Sequence, residues 1–380
     1  MFLLLAAALT LVDARALADR RNGTLAATRA ELGVAQAGMD AAGQLPNPTL
    51  SVSYGPDDPR WLAGLDVKLP ILGQRGAAIA SAAARAKVAE AEIEVEKARL
   101  HAAVRRAYGA FWAATQQVQL AVESARLSSE LARLTNERFK TGGAPQLDVA
   151  QAQLAAQRTA HDLEDREAEA EATRRELIAA VGSEVLDVER PPEPQVPSVD
   201  ELLKRAGDHP EVLSLQRQEA AALARAHEEG VSLRPLPVVT VTAERFSDQS
   251  PTWGARVGVA FDLPILSWNR GRVHEQEESA HKAQLLAAAQ VQKLNGQLGA
   301  ARARWAAASS RATFYGGDFL NAAARVVEMS ETGYRIGRTS LLTVLQAQTE
   351  LSSARGRAVD ASLEAQRALA DLEEALGADL

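Results

Sequence analysis

The sequence predicts a mainly helical protein with a small β part, built as two copies of one architecture. Three observations predict it. The chain of 380 residues nearly repeats itself at a spacing of about 195 residues. Each copy sets a short pair of alternating, strand-like runs between very long helical stretches. The composition is rich in Ala, Leu, Glu, Arg and Gln, all strong helix formers. Aromatic residues make up only 4%, which suits long helices packed side by side better than a thick globular core.

The repeat is specific. Leu69-Pro70-Ile71-Leu72 returns as Leu263-Pro264-Ile265-Leu266, and the Arg-Gly pair after each is Arg75-Gly76 and Arg270-Gly271. Upstream, Pro46-Asn47-Pro48-Thr49-Leu50 is echoed by Pro235-Leu236-Pro237-Val238-Val239. Downstream, Trp112, Gly142, Val149, Gln151-Ala152-Gln153 and Gly182 match Trp305, Gly337, Val344, Gln346-Ala347-Gln348 and Gly377. The first repeat takes residues 1–190, a stiff Pro-rich linker takes 191–198, and the second repeat takes 199–380.

In chain order, helix is expected from about Thr10 to Gly43, stopped by Gly43 and Pro46. A β-hairpin follows at about 47–70. Leu50, Val52 and Tyr54 point one way and Thr49, Ser51 and Ser53 the other. After a turn at Gly55 to Pro59, Trp61, Ala63, Leu65, Val67 and Leu69 share a face opposite Gly64, Asp66 and Lys68. A helix over 74–141 runs about 67 residues without Pro, roughly 100 Å at 1.5 Å per residue. Gly142 to Pro145 stops it, and a return helix spans 146–181. The second half gives helix from about Val199 to Ser232, broken at His209-Pro210. A hairpin at about 236–264 turns around Ser247 to Pro251. It places Trp253, Ala255, Val257, Val259, Phe261 and Leu263 opposite Gly254, Arg256, Gly258, Ala260 and Asp262. A helix over 271–337, weakened at Gly316-Gly317, and a return over 339–376 complete it. The longer strands approach the length that crosses a bilayer at a tilt. Charges such as Asp66, Lys68, Arg256 and Asp262 on their polar face need water.

The net charge of -7 is mild and both signs are interspersed, which argues against nucleic acid as a partner. There is no Cys, so disulfide, thiol and Cys-metal chemistry are excluded. No apolar run is long enough for a transmembrane helix. Phe2 to Leu9 is apolar but short for a signal segment and lacks a basic lead; a truncated or missing leader is expected.

The order of helix, Pro-Asn-Pro-Thr-Leu hairpin, Leu-Pro-Ile-Leu-Gly-Gln-Arg-Gly, long helix, glycine turn and Val-Ala-Gln-Ala-Gln helix, duplicated, resembles the TolC-type outer-membrane efflux channels. The likeness covers almost the whole chain and is greatest to the cobalt–zinc–cadmium resistance branch. It implies a homotrimer. Four membrane strands from each protomer would close a 12-stranded β-barrel in the outer membrane of a Gram-negative bacterium. The helices would form an α-barrel of antiparallel coiled coils in the periplasm. It implies passive efflux of heavy-metal cations as one part of a tripartite pump. The partners would be a periplasmic adaptor (membrane fusion) protein and an inner-membrane resistance-nodulation-division transporter. Drug efflux and type I secretion remain open as cargo classes, and a periplasmic coiled-coil scaffold remains open as another class of protein. No enzyme, catalytic set, metal site or cofactor is expected. His274 and His281 share one helical face but lack the further ligands a metal needs.

The resemblance also implies where function sits. The two helical-hairpin ends are the expected adaptor-docking surface: Phe139, Lys140, Gly142 and Gly143 in one, Tyr334, Arg335, Gly337, Arg338 and Thr339 in the other. Just past them, Asp148, Gln151, Thr343 and Gln346 are the expected channel constriction. The best-known exporters of the family carry acidic residues at the positions of Thr343 and Gln346. The neutral groups here leave Asp148 as the one charge each protomer brings.

Overall fold

The structure, a computed structural model, describes residues 8–57, 59–246, 252–261 and 269–380. Helix α1 spans Leu11–Arg21 and α2 Gly23–Ala42. The single helix expected over Thr10 to Gly43 is thus divided. Asn22 turns extended (ψ 125°). Its side-chain carbonyl accepts from the backbone N–H of Thr24 (2.9 Å) and Leu25 (3.1 Å). A side chain that caps the next helix favours the break.

Strands β1 (Thr49–Tyr54) and β2 (Trp61–Lys68) precede α3 (Gln74–Lys140) and α4 (Gln146–Val181). Helix α5 (Val199–Lys204) and a short 3₁₀ turn at Ala206–Asp208 come before α6 (Pro210–Val231). The expected break at His209-Pro210 therefore begins earlier, at Arg205. Pro210 sits at the first position of α6, where a missing N–H costs nothing. Strands β3 (Pro237–Phe246) and β4 (Thr252–Phe261) lead to α7 (Arg270–Gly316), α8 (Asp318–Arg335) and α9 (Leu341–Leu376). The helix expected over 271–337 is two helices, parted at Gly317 (φ -100°, ψ -130°). The return helix begins at Leu341 because Ser340 caps it, accepting from the Thr343 N–H at 3.2 Å. Residues 2–7 of the apolar start, the Ser247-to-Pro251 turn, Asp262 and the second Leu-Pro-Ile-Leu at 263–266 lie outside the described residues.

The described chain divides into two compact units. One comprises Ala27–Val95 and Pro210–Val291. It holds an antiparallel four-stranded sheet of order β1-β2-β3-β4. The register stacks like with like. Leu50 faces Leu65, Leu65 faces Val241, and Val241 faces Val257; Val52, Ala63, Ala243 and Ala255 form the next row. One face is therefore apolar except at its aromatic end, where Arg245 stands between Trp61 and Trp253. On the other, the Thr240 hydroxyl donates to Asp66 at 2.5 Å and Arg256 pairs with Glu244 at 3.2 Å. Gly64 leaves room there for the Ser51 hydroxyl, which would lie 2.7 Å from a Cβ and would have to turn away from one. The helices of this unit bury small residues, Ala77, Ala82, Ala86, Ala280, Ala283 and Ala287, which lets them approach closely.

The Leu-Gly-Gln-Arg-Gly turn has a physical account. Gly73 takes φ +98°, Gln74 accepts from the Leu72 N–H (3.0 Å), and Arg75 donates to the Gly43 carbonyl (2.7 Å).

The second unit comprises Met1–Ala26, Glu96–His209 and Gln292–Leu380. Its core includes Leu25, Val104, Leu177, Leu369 and Leu372, each fully buried. Tyr108 ties the segment before α1 to the linker region, its hydroxyl lying 2.7 Å from the Leu9 carbonyl and 2.9 Å from that of Glu189. Burial pushes this hydroxyl up to about 12. The second unit also carries both helical-hairpin ends.

Candidate functional site at the hairpin ends

The two reversals are built alike. Gly142 (φ +78°) and Gly337 (φ +76°) adopt the left-handed conformation that glycine tolerates without strain. At the first, the Gly142 N–H donates to the Phe139 carbonyl (3.0 Å) and the Gly143 N–H to the Arg138 carbonyl (2.7 Å). At the second, Gly337 N–H donates to Tyr334 (3.0 Å) and Arg338 N–H to Gly333 (2.8 Å). Both are Schellman motifs, which satisfy the last carbonyls of a helix, and the donors and acceptors correspond one to one across the repeat.

The two ends meet through α3. Leu131 and Ala152 pack with Tyr334, Leu341 and Val344 in a buried cluster, with Leu134 against it. Arg138 then reaches across. One guanidinium nitrogen donates to the Tyr334 carbonyl (2.7 Å), another to the Gly143 carbonyl (2.9 Å), and its carbon lies 4.5 Å from the Tyr334 ring centroid. The Tyr334 hydroxyl sits 3.2 Å from that of Thr135.

The residues expected at the ends therefore part company. Phe139 and Lys140 are exposed, as are Gly142, Gly143, Arg335, Gly337 and Arg338. Tyr334 is 3% exposed, so its ring belongs to the joint and not to an outer surface. Thr339 is half-buried, and its hydroxyl donates to the Ser330 carbonyl (3.0 Å). No role was expected for Arg138 or Thr135. Arg138 lies one residue before Phe139, and its counterpart in the other repeat is Gly333, a local departure from the repeat that marks it.

Asp148 and Gln151 are half-buried on the first two turns of α4, while Thr343 and Gln346 are exposed on the first two turns of α9. The Thr343 hydroxyl lies 2.9 Å from that of Ser340 and completes the helix cap. Gln151, Leu154, Leu342 and Leu345 line a cleft of about 670 Å³. The described contacts do not join the four into one cluster in a single chain.

A second polar assembly was not legible in the sequence. Glu373 is 2% exposed and receives Arg15 (2.5 Å) and Arg105 (2.8 Å). Arg15 also reaches Asp379 (3.2 Å), and His101 stands between Asp379 (3.1 Å) and Asp19 (3.0 Å). Burial works against a charged His101, but the two carboxylates outweigh it and hold its titration above the usual range. Asp379 is likewise held low by His101 and Arg15 against the opposing effect of burial. His274 approaches Glu277 and Glu278 no closer than 3.8 Å, and His281 is exposed. Among the described residues no group of three or more His, Asp or Glu side chains is placed to hold a metal.

The sheet offers the other candidate surface. Val257 (71%), Leu50 (70%), Trp253 (70%) and Val259 (58%) are exposed on its apolar face. Aromatic rings gather at one end, with Tyr54 and Trp61 centroids 4.8 Å apart and Trp253 in the same row of the sheet. Among the described residues β1 and β4 each carry one unpaired edge. Strands of ten residues reach roughly 33 Å at about 3.3 Å per residue, enough to cross the apolar band of an outer membrane at a tilt. No described helix is long and apolar enough to cross a membrane.

The profile of the family described as outer membrane efflux protein matches residues 14–183 and 206–378. The cobalt-zinc-cadmium resistance protein CzcC of Cupriavidus metallidurans is 24% identical over 386 residues, covering 97% of this chain and 90% of CzcC. Among solved structures, that of CusC superposes with a TM-score of 0.75 at 17% identity, over 97% of this chain and 92% of its own. VceC of Vibrio cholerae superposes with a TM-score of 0.74 at 17% identity, over 97% and 96%. At such identities the solved structures speak for the fold.

Proposed function

Because the chain belongs to the outer membrane efflux protein family, we propose that it is the passive exit duct of a tripartite pump, closed by three copies and carrying heavy-metal cations. It is a transport channel of the outer membrane and not an enzyme. The observation that carries the oligomer is the four-stranded sheet, with its exposed apolar face and two unpaired edges. In lipid, each unmet backbone group costs several kcal/mol, and only closure removes an edge. Joining β4 of one copy to β1 of the next supplies twelve strands with the polar face, Asp66, Glu244 and Arg256 included, turned to a wet lumen.

Energy comes from an inner-membrane resistance-nodulation-division transporter, coupled through a periplasmic adaptor. The adaptor docks at the hairpin ends, on Lys140, Arg335 and Arg338 around the turns at Gly142, Gly143, Gly337 and Thr339. Asp148, Gln151, Thr343 and Gln346 line the narrowing beside them, and movement of the hairpins widens it. Metal cargo is supported by the likeness to CzcC along nearly the whole chain.

Two measurements test this. Purified protein in planar bilayers should conduct, and its mass in detergent should be that of three chains; a non-conducting monomer refutes the duct. Deletion of the gene should sensitise its host to cobalt, zinc or cadmium, and unchanged tolerance to all three refutes the metal cargo.

A further inference from the structure

The repeat holds one pair of aromatic residues that the duct does not use. Trp112 of α3 and Trp305 of α7 occupy matching places, each opening a Trp-Ala-Ala run. Gln116 and Ser309 match in the same way. Each stands one turn beyond its tryptophan, and residues four apart share a helical face. Each repeat thus supplies an indole with a hydrogen-bonding side chain beside it. Both pairs line one cleft of about 480 Å³ bounded by α3, α7, α9 and the linker region. Clefts of about 300–1,000 Å³ hold small molecules when aromatic walls carry a few convergent polar groups.

The cleft is kept open. Gly316 and Gly317, which part α7 from α8, line one end and bring no side chain to it. Arg302 lies 4.6 Å over the Trp305 ring but is not part of the lining. It braces the ring from the far side and leaves the near face to the cleft. Both tryptophans are only half-buried. Among the described residues no group receives either indole N–H or meets the Gln116 amide. A tryptophan placed for packing alone hides its ring and pairs its N–H; these two turn both toward a cavity.

The charges narrow the ligand. The lining holds two, Arg190 and Glu193, and they pair with each other at 3.0 Å. On the described lining there is no spare cation for a phosphate and no spare carboxylate for a metal. A neutral ligand with flat C–H faces and a polar rim fits. The C–H face of a sugar ring lies well on an indole, whose ring face is electron-rich. Rim hydroxyl and acetamido groups would then meet Gln116, Ser309 and the indole N–H groups.

We propose that this cleft binds a strand of N-acetylated amino sugars, the glycan of the bacterial cell wall. The helical part of an outer-membrane efflux channel stands in the periplasm, where that polymer lies. Two aromatic platforms on two helices suit a chain of sugar rings better than a single ring. Binding there fastens the duct to the wall it crosses, a role separate from export and independent of the cargo.

Full-length protein in detergent is mixed with protein-free cell-wall sacculi and spun down. Co-sedimentation is expected. Chitotetraose, built of N-acetylglucosamine, should release the protein, and cellotetraose, which lacks the acetamido groups, should release far less. Trp112→Ala and Trp305→Ala should each weaken binding about tenfold, while Trp61→Ala on the sheet should leave it unchanged. Where an alanine variant melts early, Gln116→Ala and Trp305→Phe replace it, and each should still weaken binding. A second readout needs no variant: chitotetraose should shift the indole emission of the parent. A folded parent that stays in the supernatant overturns the site. So does sedimentation that survives both tryptophan substitutions, or equal release by the two sugars. Release by the wall's stem peptides in place of chitotetraose overturns the glycan and gives the cleft to a peptide. Conductance in planar bilayers is recorded on the same protein, so failure of the site is distinguished from failure of the duct.

Discussion

Replacing Arg138 with alanine should release the first hairpin from the second. The guanidinium makes three contacts, but only two of them cross between hairpins: the 2.7 Å hydrogen bond to the Tyr334 carbonyl and the 4.5 Å approach to the Tyr334 ring. The 2.9 Å bond to Gly143 stays within the first hairpin and is kept whether the two are together or apart. A group shifts an equilibrium only by what it gains in one state over the other. A hydrogen bond from a charged donor is worth about 1.5–3 kcal/mol when buried. Arg138 is half-buried, so water recovers part of this and about 1 kcal/mol is the better figure. The ring contact adds about 0.5–1 kcal/mol. The total of about 1.5–2 kcal/mol corresponds to a roughly 10- to 30-fold shift toward the separated state. Single-channel recording in planar bilayers reads this as the fraction of time spent at the larger conductance. Arg138→Lys should fall between, because an ammonium keeps the charge but loses the planar fork. An alanine variant whose open fraction stays within about twofold of the parent refutes the clamp.

The other predictions concern the turns, the lipid face and the buried ions. Gly142→Ala and Gly337→Ala should each destabilise by about 1–2 kcal/mol, the cost of a left-handed residue with a Cβ; a drop in thermal midpoint for both checks it, and space is open at each site, so a steric explanation does not compete. Val257→Arg, midway along β4 and 71% exposed, should cost about 2–4 kcal/mol against lipid and lower the protein recovered in outer-membrane fractions. A variant that accumulates normally there would show that this face does not meet lipid. The His101 site should impose a pH dependence. Its titration is raised above 6.5, so its stabilising effect is full below that value and fades as pH rises through the raised value. Asp379 titrates below 3.8, so its effect is lost only as pH falls through that lowered value. The melting midpoint should decline as pH rises above 6.5 in the parent and much less in His101→Gln.

Much of this was legible in the sequence, for identifiable reasons. Period-two alternation located Thr49–Tyr54 and the start of Trp61–Lys68 because one side of each strand must be apolar and the other wet. Left-handed glycines located the ends of α3 and α4, since few other residues accept that backbone. What the sequence hid were effects of single side chains and of distant ones. Asn22 divides a helix by bonding its own neighbours, amid good helix formers. Glu373 gathers Arg15 and Arg105 from positions hundreds of residues away, and no local pattern announces such a meeting. Tyr334 and Phe139 looked equivalent because they occupy equivalent places in the repeat.

That last difference separates the two ends of the duplicated chain. Gly333 stands where Arg138 stands and Phe139 where Tyr334 stands, while both turns keep the same pair of hydrogen bonds. Chemistry thus differs between the two ends without altering the backbone reversal. Only the Tyr334 side carries a clamp, because its hydroxyl meets that of Thr135 at 3.2 Å and its carbonyl receives Arg138. Phe139 is 43% exposed, so Phe139→Leu should leave the melting midpoint nearly unchanged. Tyr334→Phe should lower it, with a stability loss of about 1 kcal/mol for one buried hydrogen bond. Equal effects at the two positions would refute the asymmetry.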